Sequence, residues 1–237
     1  MSDPQARTRL RAEAQAGIDA ADAALAAGAI AEGEWQRRVA GALAGSYLRD
    51  GDPRWQSGFD GDPALWREAR ELVLDAVPRG GTLLDVGAAN GHLMECLATW
   101  AAERGVALDV YGLELDPGLA AAARRRLPAW ADRVFDGNVS DWRPPDPPRP
   151  FTYVRTGLEY VAPGRGPALI RRLLAEVVAP GGRLLVGPGS ERELPATLAA
   201  FRAAGVPDPG VVTRADRNGK VRAVAWAGRA GSGAPAT

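Results

Sequence analysis

The chain of 237 residues is long enough for one α/β domain with a sizeable core and an appended segment. Its 29 basic and 29 acidic residues give a formal net charge of zero, so no overall field draws it towards nucleic acid or an anionic membrane. A single cysteine excludes an intrachain disulfide and a cysteine-based zinc cluster, and no apolar run approaches the roughly 18 residues that span a bilayer. The first residues lack the basic and apolar segments of a secretory signal, so we expect a cytoplasmic protein without a membrane partner.

Residues 1–62 are predicted to form a helical cap that ends in a polar loop. Apolar residues recur every three to four positions in the first part, which indicates two amphipathic helices. Turn-forming residues dominate the loop at 49–62, yet Trp55 and Phe59 lie among them. The two rings either anchor the loop to the core or belong to a loop that lies over a ligand site, and both interpretations stay open. Asp62, at the end of the loop, precedes Pro63, and this pair predicts a helix cap.

A buried strand, a glycine turn and a helix are predicted next. The strand is short, apolar and bounded by turn residues, and Gly87 and Gly91 bracket the turn that follows it. This arrangement presents the free N–H groups of a helix N-terminus to a ligand, and glycine permits a positive φ or a close ligand approach. A dinucleotide-binding G-x-G-x-x-G motif would need glycine at two further positions, where the chain has Ala89 and His92.

A second strand, predicted at 107–114, ends in Glu114. This residue lies 23 positions beyond Gly91. A carboxylate about 20 residues after such a turn accepts both ribose hydroxyls of a nucleoside. Asp116 precedes Pro117, a pair that predicts a helix cap, and capping is also the alternative role for Glu114.

These two motifs resemble those of the class I S-adenosylmethionine-dependent methyltransferases. Members carry an acid at the end of the first strand and then a G-x-G-x-G turn, which is Gly-Ala-Ala-Asn-Gly here. The family pattern at the second strand is matched by Gly-Leu-Glu-Leu-Asp-Pro at 112–117. The resemblance implies S-adenosyl-L-methionine as the cofactor. The cofactor contacts that it implies are Asp85, Gly87, Ala88, Asn90, Gly91, Glu114, Leu115, Asn138 and Val139.

The adenine contact is the least regular part of this resemblance. In the family, a polar and an apolar residue after the third strand hold the adenine, and Asn138 and Val139 occupy that place here. The family more often has Asp where Asn138 stands, although an Asn side chain offers both a donor and an acceptor. A simple turn residue is the alternative role for Asn138.

The resemblance also guides the assignment of the acceptor side. Ligands of open α/β sheets bind beyond the carboxyl ends of the strands, where the strand order reverses. A fourth strand is predicted at 151–156, so Arg155, Glu159 and Tyr160 are candidate catalytic or substrate residues. As alternatives, Arg155 and Glu159 form a structural ion pair and Tyr160 is a packing ring. Relatives with an N-terminal lid imply further lid or substrate contacts, for which the candidates are Tyr47, Trp55 and Phe59.

The remaining segments complete an α/β pattern. A stiff polyproline linker is predicted at 143–150, and an amphipathic helix at 167–178 precedes a Pro-Gly-Gly turn and a fifth strand at 183–187. The last strands, 210–214 and 221–227, are separated by an Asn-Gly turn that is typical of a hairpin.

We therefore predict a Rossmann-like three-layer α/β sandwich. Its mostly parallel seven-stranded sheet would end in an antiparallel hairpin, as the family resemblance implies. The helical cap and lid loop (1–62) would precede a methyltransferase domain at 63–227, and residues 228–237 would form a disordered tail.

The chemistry that this resemblance implies is methyl transfer to a small molecule. Transfer from a sulfonium is an in-line displacement that needs alignment and exclusion of water, and a base only for some acceptors. The sequence has neither the Asn-Pro-Pro-Tyr type of motif, with which family members methylate amide or adenine nitrogen, nor a cluster of residues with metal-ligand spacing. Cys96 lies on a predicted helix, where it is poorly placed to act as the nucleophile of cytosine methylation. By elimination, an oxygen, nitrogen or carboxylate of a small molecule is the expected acceptor, without nucleic acid. The alternatives are a non-catalytic S-adenosylmethionine-binding or scaffold protein and, less favoured, a nucleotide-dependent oxidoreductase.

Overall fold

The computed structural model describes residues 4–145 and 150–231. Short 3-10 turns lie at Trp55–Ser57, Glu71–Ala76 and Pro128–Arg133. The helices and strands, in chain order, are α1 (Pro4–Ala26), α2 (Glu32–Tyr47), α3 (Pro63–Arg70), β1 (Gly81–Val86), α4 (His92–Glu103), β2 (Leu108–Glu114), α5 (Pro117–Arg126), β3 (Val134–Asp136), β4 (Phe151–Thr156), α6 (Gly166–Arg172), β5 (Val178–Ser190), α7 (Leu194–Ala203), β6 (Gly210–Ala215) and β7 (Val221–Gly228).

The strands form one seven-stranded sheet in the order β3-β2-β1-β4-β5-β7-β6. The pairs among β1 to β5 are parallel, whereas β7 runs antiparallel to both β5 and β6. The predicted mostly parallel sheet with a C-terminal antiparallel hairpin is therefore confirmed. The strand order reverses between β1 and β4, so a crevice opens beyond the carboxyl ends of these two strands.

Helices cover both faces of the sheet and bury a separate apolar cluster on each. Side chains of α3, α4 and α5 pack on one face, and those of α6 and α7 pack on the other. A fully buried leucine or phenylalanine contributes about 1.5–3 kcal/mol relative to an exposed one, so these clusters hold the three layers together. Representative members are Trp66, Leu97 and Ala120 on the first face and Ile170, Leu173 and Phe201 on the second.

The N-terminal helices α1 and α2 pack against each other and over the carboxyl ends of the strands. Ala44 of α2 contacts Ala89 of the glycine turn and Leu119 of α5. Trp35 of α2 lies in a small cluster with Ala162, beyond the end of β4. The helical cap is thus attached to the edge of the sheet where the crevice opens.

Two predicted helix caps are confirmed. Asp62 accepts the N–H groups of Ala64 and Leu65, each at 2.9 Å, at the start of α3. Asp116 accepts the N–H of Leu119 at 3.0 Å at the start of α5. Such a side chain satisfies donors that the first helical turn leaves free, and its loss typically costs about 1 kcal/mol.

Several predicted boundaries differ from the structure. The helix predicted at 167–178 changes at Leu173–Val177 to a π-helical turn. Strand β5 begins at Val178 rather than at 183, because Val178 pairs with Phe151 before the register shifts. The predicted tail begins too early, because Gly228 still pairs with Arg183 in the sheet.

Two of the predicted segments extend beyond the described ranges. The polyproline linker at 143–150 includes residues 146–149, and the tail includes residues 232–237, all of which lie outside the described residues. Among the helices of the described ranges, none combines the length and the apolar character that crossing a bilayer requires.

Candidate functional site

A cavity of about 1030 Å³ lies at the carboxyl ends of the central strands. Its walls are formed by the turn after β1, the ends of β2, β4 and β5, the helix α2 and the start of β7. Asn90 and Gly91 do not line it. The predicted cofactor contacts that do line it are Asp85, Gly87, Ala88, Glu114, Leu115, Asn138 and Val139.

The two glycines of the turn are required for different reasons. Gly87 has a φ of 72° and Gly91 a φ of 75°, both in the left-handed region that favours glycine. A Cβ atom at Gly87 would overlap the ring of Tyr160, whereas one at Gly91 would lie 2.9 Å from Cδ1 of Leu127. Gly87 therefore lets a side chain of the cavity approach the turn, and Gly91 lets α5 pack behind it.

Glu114 joins the end of β2 to the glycine turn. Its Oε2 accepts the N–H of Ala89 at 2.8 Å, and its Oε1 accepts the N–H groups of Leu115 and Asp116, each at 2.9 Å. Burial raises the pKa of Glu114, and these three N–H groups act in the opposite direction. The carboxylate is thus held in one orientation at the cavity wall, and Oε2 retains a lone pair for a ligand hydroxyl.

A buried ion pair spans the point where the strand order reverses. Asp85 of β1 is opposite Arg155 of β4, and Oδ1 of Asp85 lies 3.0 Å from Nη1 of Arg155. The Nε of Arg155 also donates to the carbonyl of Gly187 at 2.6 Å. The alternative pair between Arg155 and Glu159 is not formed, because Arg155 pairs within the sheet and Glu159 is exposed.

The same pair leaves one polar atom unpartnered. Asp85 is 1% exposed, and its Oδ2 is buried without a hydrogen-bond partner among the described residues. Burial raises the pKa of Asp85, and the charge of Arg155 opposes that effect. For Arg155, burial lowers the pKa, but Tyr160, Asp85 and Glu159 outweigh it and raise the pKa above its ordinary value. Because buried polar atoms are rarely left unpaired, Oδ2 is a candidate acceptor for a donor group on a ligand.

Asn138 is held by a residue that the sequence motifs do not reveal, Gln36 of α2. The Nδ2 of Asn138 donates to Oε1 of Gln36 at 2.7 Å. The Nε2 of Gln36 in turn donates to Oγ of Ser140 at 2.7 Å and to the carbonyl of Tyr160 at 3.1 Å. Gln36 is 3% exposed and lies three positions before Val39 on the apolar face of α2. A polar residue on such a face is the signal that could have identified it.

Asn90 connects the glycine turn to the lid loop rather than to the cavity. Its Nδ2 donates to the carbonyl of Pro53 at 3.1 Å and to Oε1 of Gln56 at 3.0 Å. Its Oδ1 accepts from Oγ of Ser57 at 2.7 Å. Because Oδ1 also accepts the N–H of His92 at 3.1 Å, the side chain is engaged with both the loop and the start of α4. The predicted contact of Asn90 with a cofactor stays a prediction, as does that of Gly91.

The aromatic residues of the lid loop act as anchors. Trp55 is 2% exposed, and Phe59 packs edge-on against Trp66 with 5.3 Å between the ring centroids. Neither Trp55 nor Phe59 lines the cavity, but residues 57–58 between them do, as does Tyr47. Both interpretations of the loop therefore apply in part, because its rings anchor it and its middle forms a wall of the cavity.

Tyr160 lies across the start of the glycine turn and lines the cavity. Burial raises the pKa of its hydroxyl, and the charge of Arg155 opposes that effect. Tyr160 is therefore protonated at neutral pH and can donate a hydrogen bond into the cavity. Glu159 also lines the cavity, so the structure brings all three acceptor-side candidates to one wall.

His92 and Cys96 lie behind the glycine turn, half-buried against Trp66. The ring of His92 stacks on Trp66 with 5.0 Å between centroids, and burial together with Arg126 lowers its pKa to about 4. The Sγ of Cys96 accepts from Nε1 of Trp66 at 3.3 Å. Neither residue lines the cavity. Within the described ranges, no group of three or more His, Cys, Asp or Glu side chains could hold a metal ion.

No protein-family model matches the chain, and no curated protein matches its sequence. Solved structures do match it. One is the 1,6-didemethyltoxoflavin-N1-methyltransferase of Burkholderia thailandensis, with a TM-score of 0.55 and 20% identity over 85% of this chain and 91% of that one. Another is the N-methyltransferase NodS of Bradyrhizobium japonicum, with a TM-score of 0.54 and 14% identity over 78% of this chain and 96% of that one.

The chain has the fold of S-adenosylmethionine-dependent methyltransferases. Both matching enzymes were crystallised with S-adenosylhomocysteine, and the first also with 1,6-didemethyltoxoflavin. The Rossmann-like methyltransferase fold that the sequence motifs predict is thereby confirmed.

Proposed function

We propose that this protein is an S-adenosylmethionine-dependent methyltransferase that methylates a small molecule at oxygen, nitrogen or a carboxylate. One observation carries the proposal: the glycine turn and the Glu114 carboxylate meet at the wall of a single cavity. The shared fold of the matching methyltransferases supports it independently.

The residues of the cavity fit the parts of this cofactor. The Glu114 carboxylate is suited to accept a ribose hydroxyl through Oε2, and Asn138 with Val139 is suited to hold the adenine, as in the family pattern. The unpartnered Oδ2 of Asp85 is suited to accept from the amino group of the methionine part. When bound, the cofactor supplies an activated methyl group.

The chain itself contributes positioning and exclusion of water. The cap and the lid loop border the cavity, where Gln36 of the cap bonds to Asn138 and the loop bonds to Asn90 of the turn. Alignment of two reactants in such a site can supply up to about 7–11 kcal/mol of the barrier reduction. Arg155 is a positioning residue, because it is paired to Asp85. Tyr160 can orient the acceptor by hydrogen bonding, and Glu159 is the candidate base where the acceptor has a proton to lose.

Calorimetric titration of the full chain tests the cofactor assignment. S-adenosylhomocysteine should bind and NAD should not, because Ala89 stands where a dinucleotide motif requires glycine. Binding of NAD in place of S-adenosylhomocysteine would support the oxidoreductase alternative and overturn the proposal.

A second measurement separates an enzyme from a non-catalytic binder. The protein is incubated with S-adenosylmethionine and pools of small metabolites, and release of S-adenosylhomocysteine is recorded. The expected result is release that depends on one pool and can be followed to one compound. Cofactor binding without release from any pool would favour the scaffold alternative.

A further inference from the structure

One end of the cavity is lined by four cationic side chains, which we call the cationic end. They come from the end of α3, the segment between β5 and α7, the turn before β7 and the start of β7. Its members are Arg70, Arg192, Lys220 and Arg222.

Backbone contacts bring these four residues together. Ser190 is opposite Arg222 in the pairing of β5 with β7. Nη1 of Arg70 donates at 3.3 Å to the carbonyl of Pro188, two residues before Ser190. The N–H of Glu191 donates to the carbonyl of Val221, so the neighbouring residues Arg192 and Lys220 also lie at this place.

Arg70 is a cation without a carboxylate partner. Its guanidinium lies over the rings of Phe59 and Trp66, at 5.5 and 5.3 Å from their centroids. Within residues 4–145 and 150–231, no carboxylate forms an ion pair with Arg70. Burial above all, with the charges of Arg155 and Arg222, lowers the pKa of Arg70 to about 10, although Tyr160 and Glu159 oppose this effect. The guanidinium nevertheless remains charged at neutral pH.

Arg222 is also incompletely paired. Its side chain is 14% exposed, and its Nε is buried without a hydrogen-bond partner among the described residues. The nearest carboxylate oxygen, Oδ2 of Asp216, is 3.6 Å away, and the other oxygen of Asp216 accepts the N–H groups of Asn218 and Lys220. A planar anion that reached this place could use the free donors of two guanidinium groups.

The carboxylates near the cationic end do not neutralise it. Glu193 lines the cavity here, and its Oε2 accepts the N–H of Ser190 at 2.6 Å. Glu159, which also faces the charge of Arg70, is exposed. In the described part of the chain, Arg192 and Lys220 have no side-chain partner. Even with Asp216, which pairs with Arg222 at 3.6 Å, the four cations outnumber the three carboxylates near this end of the cavity.

We propose that the cationic end binds the anionic group of the methyl acceptor, so that the acceptor is an organic carboxylate or phosphate. This inference rests on the proposed function. The cofactor itself is expected at the opposite end, because Glu114 ends β2, whereas the cations lie beside β5 and β7, beyond β4 in the sheet. An anionic acceptor would then bridge the two ends, with its reactive atom near Tyr160 and the turn after β1.

The test uses four ligands that share a ring and differ in charge: benzoate, phenyl phosphate, benzyl alcohol and benzylamine. Each is titrated into the full chain by calorimetry, with and without saturating S-adenosylhomocysteine. Benzoate or phenyl phosphate should bind at least about ten-fold more tightly than the alcohol and the amine. Preference for one of the two anions identifies the acceptor as a carboxylate or a phosphate.

Substitutions at the cationic end test whether the preferred anion binds there. Arg70→Gln should weaken binding of the preferred anion about ten-fold, and the double variant Arg192→Gln/Lys220→Gln about two- to three-fold, since its cations are exposed. Arg125→Gln, an exposed arginine away from the cavity, is the matched control and should bind as the wild type does. Arg70 packs on two rings, so the double variant keeps the test valid if Arg70→Gln does not fold.

Three results would overturn the inference. The first is equal binding of benzoate, phenyl phosphate and benzyl alcohol. The second is anion binding that all of these variants leave unchanged. The third is a loss of S-adenosylhomocysteine affinity in Arg70→Gln, since the cations would then hold the cofactor. Failure of the wild type to bind S-adenosylhomocysteine would instead refute the proposed function, and the titrations without it would still decide whether the cationic end prefers anions.

Discussion

The two ends of the cavity are built in different ways. At the cofactor end, formed by the turn after β1 and the end of β2, backbone groups dominate, and Glu114 is held by three N–H groups. At the cationic end, side chains from distant parts of the chain dominate, with Arg70 from α3 and Arg222 from β7. Backbone geometry constrains the first end, whereas the exposed side chains of the second, Arg192 and Lys220, can change without altering the fold. Such a division lets one fold keep a cofactor while its acceptor varies.

The buried pair of Asp85 and Arg155 lies between the two ends, and its disruption is expected to have the largest effect. Asp85→Ala leaves the buried Arg155 without its carboxylate, which should lower the free energy of unfolding by about 3–5 kcal/mol. Urea denaturation at pH 7 measures this. Asp109→Ala is the control, because the exposed pair of Asp109 with Arg133 should contribute less than about 1 kcal/mol. Similar small losses in both variants would show that the ends are not joined by this pair.

The next largest effect concerns the packing beneath the cofactor end. His92 has a pKa of about 4 in the folded chain, because burial and Arg126 lower it, against about 6.5 in the unfolded chain. As the pH falls from 6.5 to 4, the unfolded state takes up a proton that the folded state does not, and stability falls. The expected contribution of His92 to this loss is at most about 3 kcal/mol, and it is smaller to the extent that solvent screens the half-buried ring.

The chain has one histidine, so a single variant isolates this contribution. Free energies of unfolding at pH 4.5 and pH 7 are compared for the wild type and His92→Gln. The variant should lose less stability between the two pH values than the wild type does. Equal losses of stability in the two proteins would mean that the ring of His92 is exposed to solvent. The packing beneath the cofactor end would then be looser than the contacts of His92 indicate.

Glu114→Ala tests the cofactor end directly. Loss of charge-assisted hydrogen bonds worth about 1.5–3 kcal/mol should weaken binding of S-adenosylhomocysteine more than about ten-fold. Calorimetric titration measures the affinity, and urea denaturation verifies that the variant is folded. Asp132→Ala, an exposed carboxylate outside the cavity, should bind normally. Unchanged affinity in folded Glu114→Ala would refute the ribose assignment.

The smallest effect on cofactor binding is expected for substitution of Gln36, which links the cap to Asn138 at the proposed adenine site. In Gln36→Ala, Asn138 keeps its bond to the N–H of Ser140, and water can replace the lost amide. S-adenosylhomocysteine should therefore bind only about two- to five-fold more weakly. Gln15→Ala on the exposed face of α1 serves as the control. A loss of affinity as large as that of Glu114→Ala would contradict this view of the cofactor end, because the cap would then contribute as much to cofactor binding as the backbone-held Glu114 does.

The sequence predicts features that depend on neighbouring residues better than it predicts contacts between distant segments. The caps Asp62 and Asp116, the left-handed glycines and the hairpin were predicted correctly, because each depends on a few consecutive residues. The partner of Arg155 was not predicted, since Asp85 lies 70 positions away and becomes its neighbour only through the parallel pairing of β1 and β4.

By itself the sequence determined the order of the elements, the glycine turn and the acidic residue at the end of β2. These features depend on backbone torsions, hydrophobic periodicity and spacing along the chain. Only the tertiary structure decided that Gln36 holds Asn138, that Asn90 holds the lid loop, and that four cations meet at one end of the cavity. Each of these contacts joins segments that are distant in sequence, so only the packing of helices and strands determines which side chains meet.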